Sequence, residues 1–159
     1  MAYRISRNIE ASLIDRITTN LTTDGWKNIR IEKSFAEVYE GSLPCILINA
    51  LEIRPEKLEI GSKTNLKYFT VNIKIFATSD GQRLDLSDWF LEKLEDDTDY
   101  YVYTITDGEV SSKVLTGKII LTNWFENRKE LTNTEILEKE DRYRHLLSFE
   151  IIVAKREDC

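Results

Sequence analysis

Apolar residues recur at helical spacing in two segments of the chain. In the first segment they fall every four positions, among mostly polar residues, at Ile5, Ile9, Leu13, Ile17 and Leu21. This spacing predicts an amphipathic helix over 5–21. Asp24-Gly25 marks its end, because glycine readily adopts the left-handed conformation that ends many helices. The segment 84–94 predicts a second amphipathic helix, capped at its start by Ser79 or Asp80.

The other segments have the composition and alternation of β-strands. They are 45–51, 68–77, 100–106, 114–125 and 145–154, with weaker alternation over 26–35. After the strand 45–51, Arg54-Pro55 is predicted to interrupt the strand pattern, because proline lacks the N–H donor of a sheet ladder. The element order is then α, β, β, β, α, β, β, β. It predicts an α+β fold in which two amphipathic helices pack on one face of a mostly antiparallel, mixed sheet.

Two polar segments contribute little to such a core. Residues 53–66 contain proline, glycine and serine and predict a long hairpin arm. Residues 126–144 include 11 charged side chains and few apolar ones. We predict a single domain over 1–159 with polar arms at about 53–66 and 126–144, both used to bind partners; the alternative is two solvated loops.

Charge and hydropathy restrict the classes of partner. The 159 residues include 22 Lys plus Arg and 28 Asp plus Glu, which gives a net charge of −6. That sign argues against a protein that grips nucleic acid through its phosphates. No apolar run approaches the length of a membrane span, and the first residues lack the apolar stretch of a signal peptide. We therefore expect a soluble protein that is not secreted and does not bind membranes.

Candidate catalytic and metal-binding residues are few and scattered. The single histidine, His145, begins a predicted strand, and we expect a structural or a surface histidine rather than a catalytic one. Cys45 and Cys159 are 114 positions apart and predict free thiols, with Cys45 acting as a small buried apolar residue. The acidic run Asp96–Asp99 lacks the glycine and distal glutamate of a calcium loop and predicts a solvated loop. We expect no catalytic, cofactor-binding or metal-binding residues.

Aromatic residues occur in three adjacent pairs along the chain: Trp89-Phe90, Tyr100-Tyr101 and Trp124-Phe125. Such rings could stack on nucleic-acid bases, but the surrounding sequence is not basic. Packing in the core or between subunits is the better prediction for them.

Several local strings in this order resemble the tail terminator family of long-tailed bacteriophages. An amino-terminal amphipathic helix is followed by a proline-led strand, Leu43-Pro44-Cys45-Ile46-Leu47-Ile48. An alternating strand then ends in a small polar turn over 70–79, and the helix 84–94 follows it directly. The chain closes with a strand that begins His145-Leu146-Leu147. The resemblance covers most of the chain.

The resemblance implies a structural virion protein that is not an enzyme and has no cofactor. Members of that family form a ring, here implied to be a homohexamer, that caps the tail tube, stops its polymerisation and joins the tail to the head connector. The implied partners are a second copy of the chain, the tail tube protein and a connector or neck protein, while DNA passes through without specific binding. The implied location is the head-tail interface of the virion, after synthesis in the host cytoplasm. Alternatives are another neck or tail-tube component, an intracellular protein-binding adaptor, or a small enzyme or ligand-binding domain.

Overall fold

The helices and strands follow the predicted order. The structure is a computed structural model that describes residues 5–32, 41–57, 65–130 and 143–155. We number the helices α1 (Ile5–Thr23) and α2 (Asp80–Glu95). The strands are β1 (Arg30–Glu32), β2 (Cys45–Lys57), β3 (Asn65–Phe76), β4 (Thr98–Thr106), β5 (Glu109–Lys129) and β6 (Arg144–Lys155).

All six of these strands belong to one curled sheet. The spatial order is β1-β2-β3-β6-β5-β4. The pair β1 and β2 is parallel, whereas the other four neighbouring pairs are antiparallel. The predicted α+β class with a mostly antiparallel, mixed sheet is therefore confirmed.

The main core lies between the two helices and one face of the sheet. On β3 the apolar positions of this face are all buried: Phe69, Val71, Ile73 and Ile75. The apolar stripe of α1 packs into the same cluster, as do Leu86 and Phe90 of α2. Both helices therefore cover the same face, as predicted. On the opposite face a smaller cluster contains Cys45, Leu47 and Phe76.

Local backbone geometry explains where α1 ends. Gly25 has φ +82°, and the Trp26 N–H donates to the Leu21 carbonyl at 3.0 Å while the Gly25 N–H donates to that of Thr22 at 3.3 Å. This pair of bonds is the Schellman motif, which satisfies carbonyls at a helix end. It also turns the chain so that Trp26 packs against the core.

Two predicted strand ends are wrong. β2 continues through Pro55 to Lys57, paired with β3 throughout. Among the described strands, β1 pairs with β2 only at Cys45–Leu47, so the missing N–H of Pro55 lies where a strand has one neighbour and proline is tolerated. β5 likewise extends to Lys129, since Glu126–Lys129 still pair with β6 despite their charge.

Replacing Leu13 with aspartate tests the packing of α1. Leu13 is 1% exposed within the main core, and an uncompensated charge there costs several kcal/mol against a total stability of about 5–15 kcal/mol. We expect Leu13→Asp to unfold or precipitate, as followed by circular dichroism and thermal denaturation. Arg7→Asp, at an exposed position of the same helix, is the control. A soluble Leu13→Asp protein with the melting temperature of the wild type would refute this packing.

Candidate functional site

Helix α1 covers the outer edge of β4 with polar side chains. The Tyr101 N–H donates to the Ser12 hydroxyl at 3.0 Å, and the Tyr103 N–H donates to the Asn8 side-chain oxygen at 3.2 Å. Asn8 and Ser12 are themselves buried. These bonds give an edge strand the partners that a neighbouring strand would otherwise supply.

The same helix also fixes the base of the β4–β5 hairpin. Asp15 accepts hydrogen bonds from the Tyr103 hydroxyl at 2.6 Å and from the Lys113 ammonium at 3.2 Å. Lys113 lies over the Tyr101 ring, 4.4 Å from its centroid. Burial, and then the bond to Asp15, raises the pKa of Tyr103 above its usual value. The base of the hairpin is therefore held by buried and charge-assisted contacts.

Helix α1 is tied to the C-terminal end of α2 by Arg16. Its guanidinium donates to the carbonyl oxygens of Lys93 and Asp96 at 2.9 and 3.0 Å, and to the Thr98 hydroxyl at 2.7 Å. Carbonyls at a helix C-terminus carry partial negative charge and favour a cation. This contact fixes the position where α2 leads into β4.

Beyond this base, the hairpin extends as an arm of two strands. We call residues 104–116 the β4–β5 arm. β5 pairs with β6 only from Gly117 onward, so no described strand pairs with that side of β5 over 109–116. Asp107 and Gly108, with φ +52° and +84°, form the tight turn that the sequence predicted. A two-stranded ribbon with open edges is marginal alone and is a template for pairing with another chain.

Exposed apolar side chains lie on both faces of this ribbon. Val110 and Val114 are 56% and 63% exposed. Val114 pairs with Val102, and Val110 pairs with Ile105. Because Val102 and Ile105 are three positions apart on β4, the two apolar pairs lie on opposite faces. An element that is apolar on both faces is suited to insertion between two surfaces rather than to lying flat on one.

An open surface cleft with a mixed apolar and polar lining lies at the other end of α1. It has a volume of about 410 Å³ and is formed by α1, the turn after it and β1. Ile14, Trp26, Ile29 and Ile31 contribute apolar surface, and the exposed hydroxyl residues Thr18 and Thr22 line it as well. The four apolar residues also pack against the main core.

The single histidine, His145, lies in the interior of the fold. His145 is buried, its Nδ1 lies 2.7 Å from the Arg83 guanidinium, and its Nε2 lies 2.5 Å from the Asn127 side-chain oxygen. Because Arg83 can only donate, Nδ1 accepts and Nε2 carries the proton that Asn127 accepts. Burial, with the nearby Arg83 charge, lowers the pKa of His145 to about 4. His145 is therefore a neutral link between α2 and the sheet.

The cysteines and the acidic run Asp96–Asp99 do not form a metal site in the described residues. Cys45 is a free, buried thiol whose pKa burial raises to about 11, while Cys159 lies outside the described residues. Asp96, Asp97 and Asp99 are exposed, and Thr98 between them is buried. In the described part of the chain, no group of three or more Asp, Glu, His or Cys side chains is arranged to hold a metal ion.

The aromatic pairs divide between core and surface. Trp89, Phe90 and Tyr100 are buried in the main core, and Trp124 packs on Phe149 with ring centroids 5.2 Å apart. Phe125 is exposed.

In the ranges given above, no helix is long and apolar enough to cross a membrane.

The arms predicted at 53–66 and 126–144 belong in part to strands. Residues 53–57 and 65–66 extend the β2–β3 hairpin, and 126–129 complete β5. Residues 58–64 and 131–142 lie outside the described residues, so the use of these arms stays a prediction. The sequence analysis did not predict that residues 104–116 extend beyond the rest of the sheet, although it did predict the turn at Asp107-Gly108.

The buried His145 predicts a pH dependence of stability. The pKa of His145 is about 4 in the folded protein, below the ordinary histidine value of 6.5, so the unfolded chain binds more protons between these values and the free energy of unfolding rises with pH. Acidification from pH 6.5 to 4.5 should therefore lower the free energy of unfolding by about 2 kcal/mol. Urea denaturation at a series of pH values measures it. His145→Gln, which can still accept from Arg83 and donate to Asn127, should flatten this slope; equal slopes would contradict the prediction.

Comparison with known proteins identifies no family for this chain. No protein-family model matches it, and neither does any curated protein. The function must therefore be inferred from the geometry of the described residues and from the resemblance in sequence pattern. Among the described residues, the feature most suited to contact with a partner is the β4–β5 arm, whose β5 edge pairs with no described strand and whose valines are exposed.

Proposed function

We propose that this chain is a structural subunit of a bacteriophage tail and not an enzyme. Copies join head to tail into a ring that caps the tail tube, stops its polymerisation and docks the tail to the head connector. The observation that carries the proposal is the β4–β5 arm, with an open strand edge and apolar residues on both faces. The sequence resemblance to tail terminators supplies the phage context and a ring of six.

The physical basis of the proposal is subunit contact. An arm that engages a different surface of the next copy makes a heterologous contact, which closes into a ring when the rotation per subunit divides the circle. A neighbouring copy that covers the open edge turns an aggregation hazard into a specific joint. The base of the arm is held to α1 through the buried Tyr103, whose hydroxyl donates to Asp15 at 2.6 Å, so the arm starts from a defined position on the fold.

The charge of the chain agrees with a conduit for DNA. Six copies at −6 each carry −36, and a lumen of the same sign as the phosphate backbone does not hold DNA. Purified protein should therefore cause no tight, salt-sensitive shift of duplex DNA in a gel at low salt.

The proposed partners are the tail tube protein and a connector or neck protein, and the proposed location is the head-tail interface of the virion.

Electron microscopy of tails made with and without the chain tests the proposal. We expect tubes of uniform length capped by a ring when the protein is present, and tubes of irregular length without it, because nothing then stops polymerisation. Complementation with the wild-type chain is the control. Tails of uniform length in its absence would overturn the terminator role and favour another neck component or an adaptor.

A further inference from the structure

We infer that the start of α2, residues 80–85, is an acid-sensitive latch, which protonation of His145 releases from the sheet while the rest of the helix stays in place. The inference concerns a conformational change within one chain and does not depend on the proposed ring. Any buried neutral histidine lowers the global stability of a protein in acid. The contact of His145 with one end of a helix adds that the chain opens at that end first.

The link between α2 and the sheet exists only while His145 is neutral. Arg83, near the start of α2, places its guanidinium 2.7 Å from Nδ1, and Asn127 of β5 places its side-chain oxygen 2.5 Å from Nε2. A guanidinium can only donate, so Nδ1 has to accept, and a second proton on the imidazole would occupy that lone pair. Arg83 and His145 are only 8% and 4% exposed, so two positive charges would then meet away from water. The contact that holds the start of α2 becomes a repulsion.

The acidic groups of α2 do not offset that second charge. Asp80 accepts a hydrogen bond from Arg83 at 3.0 Å and is therefore already paired. Asp88 raises the pKa of His145, but it is exposed to solvent. Burial, followed by the Arg83 charge, has the larger effect and lowers that pKa to about 4. Charge on the helix side therefore favours the neutral imidazole.

The strands around His145 do not offset the charge either. Lys129 of β5 is its partner in the ladder and is itself a cation. Glu130, directly after β5, is paired with Lys74 and Arg144. β3 places the uncharged Ile75 opposite His145. Among the described residues, the hydrogen-bond partners of the imidazole are the two of the link itself, so a proton on Nδ1 gains no acceptor there.

The other end of α2 is anchored by groups that keep their charge. Asp24 accepts from the Trp89 indole at 2.7 Å and from the Lys93 ammonium at 2.9 Å. These bonds lower the pKa of Asp24 below its ordinary value of 3.8, so it stays largely ionised at pH 4. Arg16 also donates to the Lys93 carbonyl at 2.9 Å. A helix held in this way opens from its histidine end.

The packing of α2 sets the inner limit of the opening. Leu86 is fully buried in the main core, whereas Leu84 and Asp85 before it are exposed. The ion pair of Asp80 with Lys129, at 3.7 Å, is about half exposed and contributes little to holding the segment. Release of 80–85 therefore costs little buried apolar area once the link to His145 is lost.

Hydrogen exchange at single amides, measured at several urea concentrations, tests the latch. From pH 6.5 to pH 4.0, and after correction for the intrinsic rate, protection of the 83–86 amides should fall by about tenfold or more. At pH 4.0 their exchange should be nearly independent of urea, because a local opening exposes little surface. The Leu91 and Leu94 amides should stay better protected and depend on urea. Exchange of 83–86 at the rate and with the urea dependence of Leu91 and Leu94 would overturn the inference.

Two variants separate charge from contact. In Arg83→Gln the amide can donate to the neutral imidazole and, after rotation, accept from the protonated one. His145→Gln removes the titrating group but can still accept from Arg83. Both should keep the protection of 83–86 at pH 6.5 and lose its fall at pH 4.0. Asp85→Asn, an exposed carboxyl of the same segment, is the control and should respond like the wild type. A full acid response in either Gln variant, or its loss in Asp85→Asn, would contradict the latch.

Discussion

The outer edge of β4 carries backbone amides at Tyr101 and Tyr103 that pair with no described strand, and α1 supplies their acceptors. Asn8 and Ser12 are buried in doing so, at positions where a polar side chain without a partner would be costly. α1 therefore has two roles. Its apolar side chains pack on the face of the sheet, and its polar side chains Asn8 and Ser12 accept hydrogen bonds from the edge of β4. A third polar residue of α1, Glu10, contacts the strand β2. Its carboxylate accepts a hydrogen bond from the Ala50 N–H at 2.8 Å, next to the β-bulge of that strand.

This arrangement decides which surfaces remain for partners. α1 protects β4 as far as Tyr103, and the hairpin beyond that level keeps an open edge along 109–116 and apolar residues on both faces. At the other end of α1, the Schellman turn places Trp26 at a surface cleft beside β1. The same helix that completes the fold therefore leaves the hairpin beyond Tyr103 as the surface from which we argue assembly. An arm that engages a different surface of the next copy favours a ring or a filament over a two-fold dimer.

Much of the fold was predictable from sequence because burial imposes periodicity. The stripe from Ile9 to Leu21 and the alternation from Phe69 to Ile75 each report one buried face. The continuation of β2 through Pro55 was not predictable, because it depends on how far β1 pairs along that strand. The candidate site was harder still. Asn8, Ser12 and Asp15 do fall at i, i+4 and i+7, but polar residues at that spacing usually face solvent, and only the fold shows that a strand edge lies against them.

Hydrogen exchange at single amides tests most directly whether α1 satisfies the edge of β4. In the wild type, the Tyr101 and Tyr103 amides should exchange slowly although they lie on an edge strand. In Ser12→Ala the Tyr101 amide should exchange about tenfold faster or more, because its acceptor is lost, while Tyr103 keeps Asn8 and changes less. Thr19→Ala, on the same helix, should leave both unchanged. Fast exchange at both amides in the wild type, or a Tyr101 amide that is indifferent to Ser12→Ala, would contradict the account.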